Sequence, residues 1–234
     1  MTDPLLWYLR KQPLFADLHP CRLRQLADAA ECLELERGAP VYAPGDVADR
    51  LYAVVGGRVR RYQPTPRGGI TLGYHGARQC FGEECVLIDM PRAAFAEASL
   101  PSKLLAFPRP VIARVMNADR KFRERLYVLI GGRLRSAEAR IVLRLRAPLV
   151  ERTASALLEL ASPHPHRTGR LQIAPALSMA ELADYVGTSR ITMYDVIETL
   201  ADAGVIGSDG HAHIIDPDAV ARLLHPQEVQ HELN

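Results

Sequence analysis

The sequence predicts an α+β chain in three successive parts: an N-terminal β roll, a long unbroken helix and a C-terminal winged helix-turn-helix. Gly and Pro punctuate short β-like runs from Leu33 to about Phe107, no Pro occurs from about Ala118 to Arg146, and Ser178 to Ile206 holds two capped helices around a tight turn. The expected boundaries are 1–117, 118–146 and 147–234. At 234 residues and 48% hydrophobic content, the chain has enough apolar mass for one large or two modest cores.

Taken in order, the first expected element is a helical hairpin running through LADAAECLEL. The runs VYAPGD, LYAVVGGRVRRY and GITLGYHG and the stretch ending in LLAF then follow at the spacing of an antiparallel barrel or jelly roll. PRPVIARVM reads as a short helix. In the Pro-free stretch, Tyr127, Ile130, Leu134, Ala137 and Ile141 recur at alternating steps of three and four, a seam that packing on the roll or a partner helix would cover. Two copies side by side bury so long a helix better. LVERTASALLELA is one more helix, SPHPHRTGR an exposed loop and LQI a strand. His164 and His166 in that loop are read as solvated, because no nearby Cys or carboxylate completes a metal ligand set.

Ser178 and Glu181 form an S-x-x-E capping box that starts a helix, and Gly187 stands where the left-handed residue ending it belongs. The next helix opens at Thr188 or Ser189. Met193, Val196, Ile197 and Leu200 give it a buried stripe, which leaves Arg190, Ile191, Tyr194, Asp195 and Glu198 facing outward. Val205 and Ile206, the turn-rich GSDG and HAHII then read as a hairpin wing. This arrangement is the one that inserts a helix into the DNA major groove.

Charge is unevenly placed. The net charge of +2 neither demands nor excludes a polyanion, but Arg120 to Arg152 holds ten Lys or Arg against three Glu, whereas Ser178 to Gly204 holds Arg190 alone beside five carboxylates. MTDPLLWYLR has no basic leader ahead of an apolar stretch, and no run approaches the roughly 18 apolar residues of a membrane span. A soluble cytoplasmic protein without a membrane partner is expected. A P-loop, a nucleophile elbow and an H-x-H ligand set are all missing, so catalysis is not expected.

The order of these parts resembles the CRP/FNR family of bacterial transcription regulators over nearly the whole chain. APGD at Ala43 to Asp46, LYAVVGGRV at Leu51 to Val59 and FGEE at Phe81 to Glu84 are similar to its roll signatures, and TSRITMYDVIETLADAGVI to its recognition helix. The resemblance implies a homodimer on double-stranded DNA with RNA polymerase as a further partner. Its better-known members present Arg, Glu and Arg to the groove; Arg190 matches the first, while Ile191 and Asp195 replace the others. The DNA-contacting set is therefore Thr188, Ser189, Arg190, Ile191, Thr192, Tyr194 and Asp195. Arg190 would grip a guanine, Ile191 would touch a thymine methyl and Asp195 would accept from a cytosine amine, with Ser189 and Thr192 on phosphates. Arg144, Arg146, Arg152, Arg167 and Arg170 are the candidates for wider phosphate attraction.

The resemblance also implies an effector pocket at Gly82, Glu83, Arg92, Ala93 and Glu138. In cyclic-nucleotide-binding members a Gly-Glu pair and an Arg-Ser pair hold ribose and phosphate, and hydroxyls on the long helix reach the base. Gly82, Glu83 and Arg92 match, but the intervening loop is a residue shorter, Ala93 replaces Ser, and Ala137 with Glu138 stand where the hydroxyls belong. These departures disfavour cAMP. The other reading is that Glu83 and Arg92 pair with each other and no ligand enters.

Cys21, Cys32, Cys80 and Cys85 supply enough thiolates for one iron-sulfur cluster or zinc, and His75 with Cys80 offers axial ligands for haem, although neither spacing matches the sensing branches of the family. Inert packing is the third reading of the cysteines. The effector is left unknown, with a cluster or haem open and cAMP less favoured. The expected function is a sequence-specific transcription regulator controlled from its roll; the alternative is a metal- or redox-binding β-barrel sensor whose helix-turn-helix makes protein contacts.

Overall fold

Strands of period two, separated by Gly and Pro turns, build the first half of the molecule. In a computed structural model, which describes residues 4–65 and 68–224, the chain divides into two units, residues 1–134 and 135–234. The first begins with helices α1 (Pro4–Lys11) and α2 (Pro20–Ala29). Strands β1 (Glu31–Leu35), β2 (Pro40–Tyr42), β3 (Arg50–Gly56), β4 (Arg58–Thr65), β5 (Gly68–Gly76) and β6 (Cys80–Phe81) follow. A 3-10 turn (Glu83–Val86), β7 (Phe95–Ala98), β8 (Ser102–Pro108) and α3 (Arg109–Ala118) lead into α4 (Arg120–Arg146).

The strands form two antiparallel sheets, ordered β1-β8-β3-β6 and β2-β7-β4-β5. Alternation decides what each face meets. On β3 and β8, Tyr52, Val54, Leu104 and Ala106 join Tyr42, Val59, Phe81 and Ala96 in a core that draws on both sheets. Their neighbours Leu51, Ala53, Leu105 and Phe107 point the other way, into a larger core with Leu9, Phe15, Leu23, Leu26, Ile112, Phe122 and Leu126 from the helices. Phe15 stacks on Phe122 at 5.9 Å between ring centroids and meets Phe107 edge-on at 5.3 Å, which fixes the first turns of α4 to the roll.

The expected helix through LADAAECLEL stops early. Ala30 is already extended, and Glu31–Leu35 is the edge strand β1, paired along its length with β8. The apolar residues of ECLEL alternate, and Leu33 and Leu35 pack against the core between the sheets, so tertiary pairing outweighs local helix propensity.

Beyond Leu126 no residue of α4 is fully buried. Leu129 and Ile130 are half-buried, Ala137 is partly covered, and Tyr127, Leu134, Ile141 and Leu145 are exposed. Gly131 and Gly132 lie within this unbroken helix, with nothing within 4 Å of a Cβ added at either. Gly131→Ala and Gly132→Ala should each therefore stabilise the protein, by about 0.5–1 kcal/mol, because alanine loses less backbone entropy in a helix. Thermal unfolding of the two variants checks this; a lower melting temperature would mean that the missing side chains are needed for packing.

The second unit contains α5 (Leu149–Leu160), β9 (Ser162–Pro163), β10 (Leu171–Ile173), α6 (Met179–Val186), α7 (Arg190–Asp202), β11 (Ile206–Ser208), β12 (His213–Ile215) and α8 (Pro217–Leu224). The expected helix, loop and strand from Leu149 to Ile173 are present, with two residues of the loop added to the sheet as β9. That sheet runs β11-β12-β10-β9, all antiparallel, and β11 with β12 is the wing. Ala154, Leu157, Leu182, Val186, Met193, Leu200, Ile215 and Val220 are buried. His213 is buried too, with Nε2 2.7 Å from the Leu177 carbonyl, and holds the wing to the start of the α6 segment. Among the described residues, no helix is long and apolar enough to cross a membrane.

Candidate functional site

Local capping chemistry sets the reading head. The Glu181 N–H donates to Ser178 Oγ at 3.3 Å and the Ser178 N–H to Glu181 Oε2 at 2.8 Å, so the box expected from the sequence starts α6. Gly187 ends it at φ 80°, and its N–H and that of Thr188 both donate to the Ala183 carbonyl. A Cβ there would lie 2.6 Å from Arg144 Nη1, so the guanidinium of Arg144 rests on the turn between the two helices.

Ser189, not Thr188, caps α7, accepting the Thr192 N–H at 3.0 Å. The Ser189 and Thr192 hydroxyls lie 2.7 Å apart. Both remain exposed, so they can turn to a phosphate when the bond between them is exchanged. Met193, Val196 and Leu200 are buried and Ile197 is half-buried, which leaves Arg190, Ile191, Tyr194 and Asp195 together on the open side. Ile191 is 79% exposed, unusual for an isoleucine. Arg190 Nη2 donates to the Tyr194 hydroxyl at 3.3 Å, and its guanidinium lies 5.8 Å from the Tyr194 ring centre, one helical turn along. Tyr194 thereby limits the wandering of a long side chain.

The cations named from the sequence divide by environment. Arg144, Arg146 and Arg167 are exposed; Arg170 forms an ion pair with Asp216, and the Nε of Arg152 is buried. The first three are therefore the ones free to meet phosphates. Arg140, which the sequence reading passed over, lies 5.3 Å from the Tyr185 ring centre and 3.7 Å from Glu159, joining the end of α4 to α5 and α6.

In the roll, Gly82 is at φ 79°, and a Cβ there would come within 3.1 Å of the Arg50 carbonyl, Arg92 Nη1 and the Tyr52 ring. The expected pairing of Glu83 with Arg92 does not form. Arg92 is buried, donating to the Gly82 and Arg50 carbonyls and, at 2.9 Å, to Glu84, with its guanidinium 4.3 Å from the Tyr42 ring centre. Glu83 instead pairs with Arg133 of α4, whose other terminal nitrogen donates to the Cys80 carbonyl. The reason is geometric: adjacent residues of the 3-10 turn point apart, so Glu84 reaches Arg92 while Glu83 reaches the helix. Arg133 was missed, although it lies seven residues after Leu126 and three after Ile130, on the face of α4 that meets the core.

Ala93 is exposed, and its carbonyl accepts from Gln63. Glu138 is an exposed residue of α4 in the second unit. Gly82, Glu83 and Arg92 are drawn together inside the roll, and the two charged ones already have protein partners.

The four cysteines are all free and are not gathered. Cys21 and Cys32 are exposed and Cys80 and Cys85 buried, and the described residues contain no group of three or more His, Cys, Asp or Glu able to hold a metal. Burial pushes the Cys80 and Cys85 thiols up to about 12, which disfavours the thiolate a cluster or zinc requires. His75 is stacked on Phe81 at 5.3 Å and held well below its usual range by burial, with Arg133 and Arg61 adding to the effect. The four-cysteine ligand set is accordingly set aside: two of its members pack in the core and two lie on the surface.

A family profile described as a cyclic nucleotide-binding domain matches residues 32–119, and one described as a Crp-like helix-turn-helix domain matches residues 151–223. The chain is 30% identical over 202 residues to the cyclic AMP receptor protein of Thermus thermophilus, covering 85% of this chain and 89% of that one. It is 27% identical over 218 residues to a CRP-like cAMP-activated global transcriptional regulator of Mycobacterium tuberculosis, covering 92% and 97%. Among solved structures, FixK2 from Bradyrhizobium japonicum has the same fold, with a TM-score of 0.67 at 24% identity over 84% of this chain and 96% of that one.

Proposed function

Because the chain belongs to the CRP/FNR family of transcription regulators and carries a DNA-binding helix-turn-helix, we propose that it acts as a homodimer whose roll sets its affinity for a specific operator. Residues 1–117 would sense, 118–146 would pair and couple, and 147–234 would read DNA in the cytoplasm, with RNA polymerase as the further partner and no reaction catalysed. The observation that supports this best is the open side of α7, where Arg190, Ile191, Tyr194 and Asp195 are exposed together while the opposite stripe is buried.

In this reading Arg190 grips a guanine edge, Ile191 meets a thymine methyl, and Ser189, Thr192 and Thr188 lie near the backbone. Arg144, Arg146 and Arg167 add the sequence-independent attraction that the acidic head itself lacks. The relatives named for cAMP make a cyclic nucleotide the obvious effector, but Arg92 and Glu83 are both engaged with protein groups. An effector would shift the population of a binding-competent dimer rather than create one.

Arg190→Ala should weaken binding to the true operator by about 1–3 kcal/mol and relax base preference at one position per half-site. Binding titrations against a set of singly substituted operators check this. A variant that discriminates every position as well as before removes Arg190 from the readout.

A further inference from the structure

The last turns of α4 carry two stripes. Leu134, Ile141 and Leu145, at steps of seven and four, are exposed, whereas Ser136, Arg140 and Leu143, at steps of four and three, are half-buried. At about 100° per residue the second stripe lies on the far side of the helix from the first. A partner helix can therefore cover one side while the same chain's reading head occupies the other.

The inner stripe is centred on a guanidinium. Arg140 spans the last turns of two helices, its guanidinium 5.3 Å from the Tyr185 ring centre on α6 and its Nε 3.7 Å from Glu159 of α5. Tyr185 is buried, so the cation rests on a fixed ring. One turn further along α4, Arg144 lies against Gly187, the residue that ends α6 and is followed three positions later by the start of α7. Whatever fixes the end of α6 also fixes the reading helix. With side chains 31% and 27% exposed, the Arg140–Glu159 pair is of the partly solvated kind that adds little to stability, while Ala154, Leu157, Leu182, Met193 and Leu200 already give the head a core. What the contact supplies is direction, because a planar fork held by both a carboxylate and a ring face admits few orientations.

We propose that Arg140 is a positioning residue: through Glu159 and Tyr185 it fixes the angle at which α7 is carried by the paired α4 helices, and so sets the half-site spacing that the dimer accepts. The proposal rests on the homodimeric DNA-reading assignment and adds what sets the distance between the two reading helices. No contact of Arg140 with DNA is required.

The test uses the full-length protein, a DNA fragment it selects from its own genome, copies of that fragment with one base pair added or removed at the centre, and a single half-site. Wild type should prefer the native spacing over either altered copy by about tenfold or more, because both heads cannot engage when the spacing is wrong. In Arg140→Ala that preference should fall by about fivefold or more, while half-site binding, sedimentation as a dimer and the melting temperature stay close to wild type. Arg140→Lys keeps a cation on the same carboxylate and ring and should restore most of the preference; a residue that only supports folding would weaken all the fragments alike. If Arg140→Ala does not fold, Glu159→Gln, which removes the charge and keeps the shape, carries the test, with a loss of spacing preference again expected. A variant that discriminates spacing as sharply as wild type, or that loses half-site and full-site binding equally, overturns the proposal, and so does a wild type indifferent to spacing. A wild type that selects no fragment and binds no half-site overturns the DNA-reading assignment itself, an outcome distinct from the failure of Arg140 alone.

Discussion

Replacing both Leu134 and Ile141 by glutamate should leave the protein monomeric and deprive it of specific DNA binding. These side chains are 60% and 62% exposed on α4, seven residues apart, with Tyr127 exposed seven residues before Leu134. A side chain of this size contributes about 1.5–3 kcal/mol when fully buried, so four of them across a two-fold seam account for roughly 6 kcal/mol or more. Each 1.4 kcal/mol is about tenfold in the dissociation constant, so the dimer should weaken by at least roughly four orders of magnitude, before repulsion among the new carboxylates is counted. Loss of the dimer then removes simultaneous engagement of two half-sites. Sedimentation velocity at micromolar protein, with operator binding measured on the same samples, checks both parts. A variant that still sediments as a dimer would move the interface off this face.

Arg133→Ala should be the most damaging single change outside the apolar core. Its partner Glu83 has a side chain only 9% exposed, and with the guanidinium gone that carboxylate remains buried in the roll with one oxygen already lacking a partner. Breaking a buried pair from one side costs about 3–5 kcal/mol; because the Arg133 side chain is 27% exposed, about 3 kcal/mol is the better expectation. Glu83→Gln should restore much of that loss when combined with Arg133→Ala, since the double variant buries no unpaired charge. Chemical denaturation of wild type, both single variants and the double variant measures the coupling. Additive losses would show that the two groups act independently and that α4 is held to the first unit by its other contacts, Phe122, Leu126, Leu129 and Ile130 among them.

What could be read from the sequence was mostly local. The capping box at Ser178, the left-handed Gly187, the stripe from Met193 to Leu200 and the wing depend on residues three or four apart, and they stand as expected because their hydrogen bonds close within the same few turns. Of the α4 stripe read from spacing, Tyr127, Leu134 and Ile141 are exposed, whereas Ile130 packs against the core of the first unit and Ala137 is partly covered. Strand β1 was not, since ECLEL carries no turn residue to separate it from α2, and its partner β8 lies about seventy residues away. The interior of the roll was legible only in part. Gly82 and Glu83 could be named from FGEE, but no spacing rule joins Glu83 to Arg133 fifty residues on, or Arg92 to Glu84 in preference to its neighbour.

The most direct measurement is a footprint of the purified protein on fragments it selects from its own genome, recorded at rising salt. Two protected major grooves about one helical turn apart, related by a two-fold axis and lost steeply as salt increases, are expected of paired α7 helices supported by Arg144, Arg146 and Arg167. A protein that selects no fragment and protects no DNA even in dilute buffer would contradict the assignment of α7 as a reading helix.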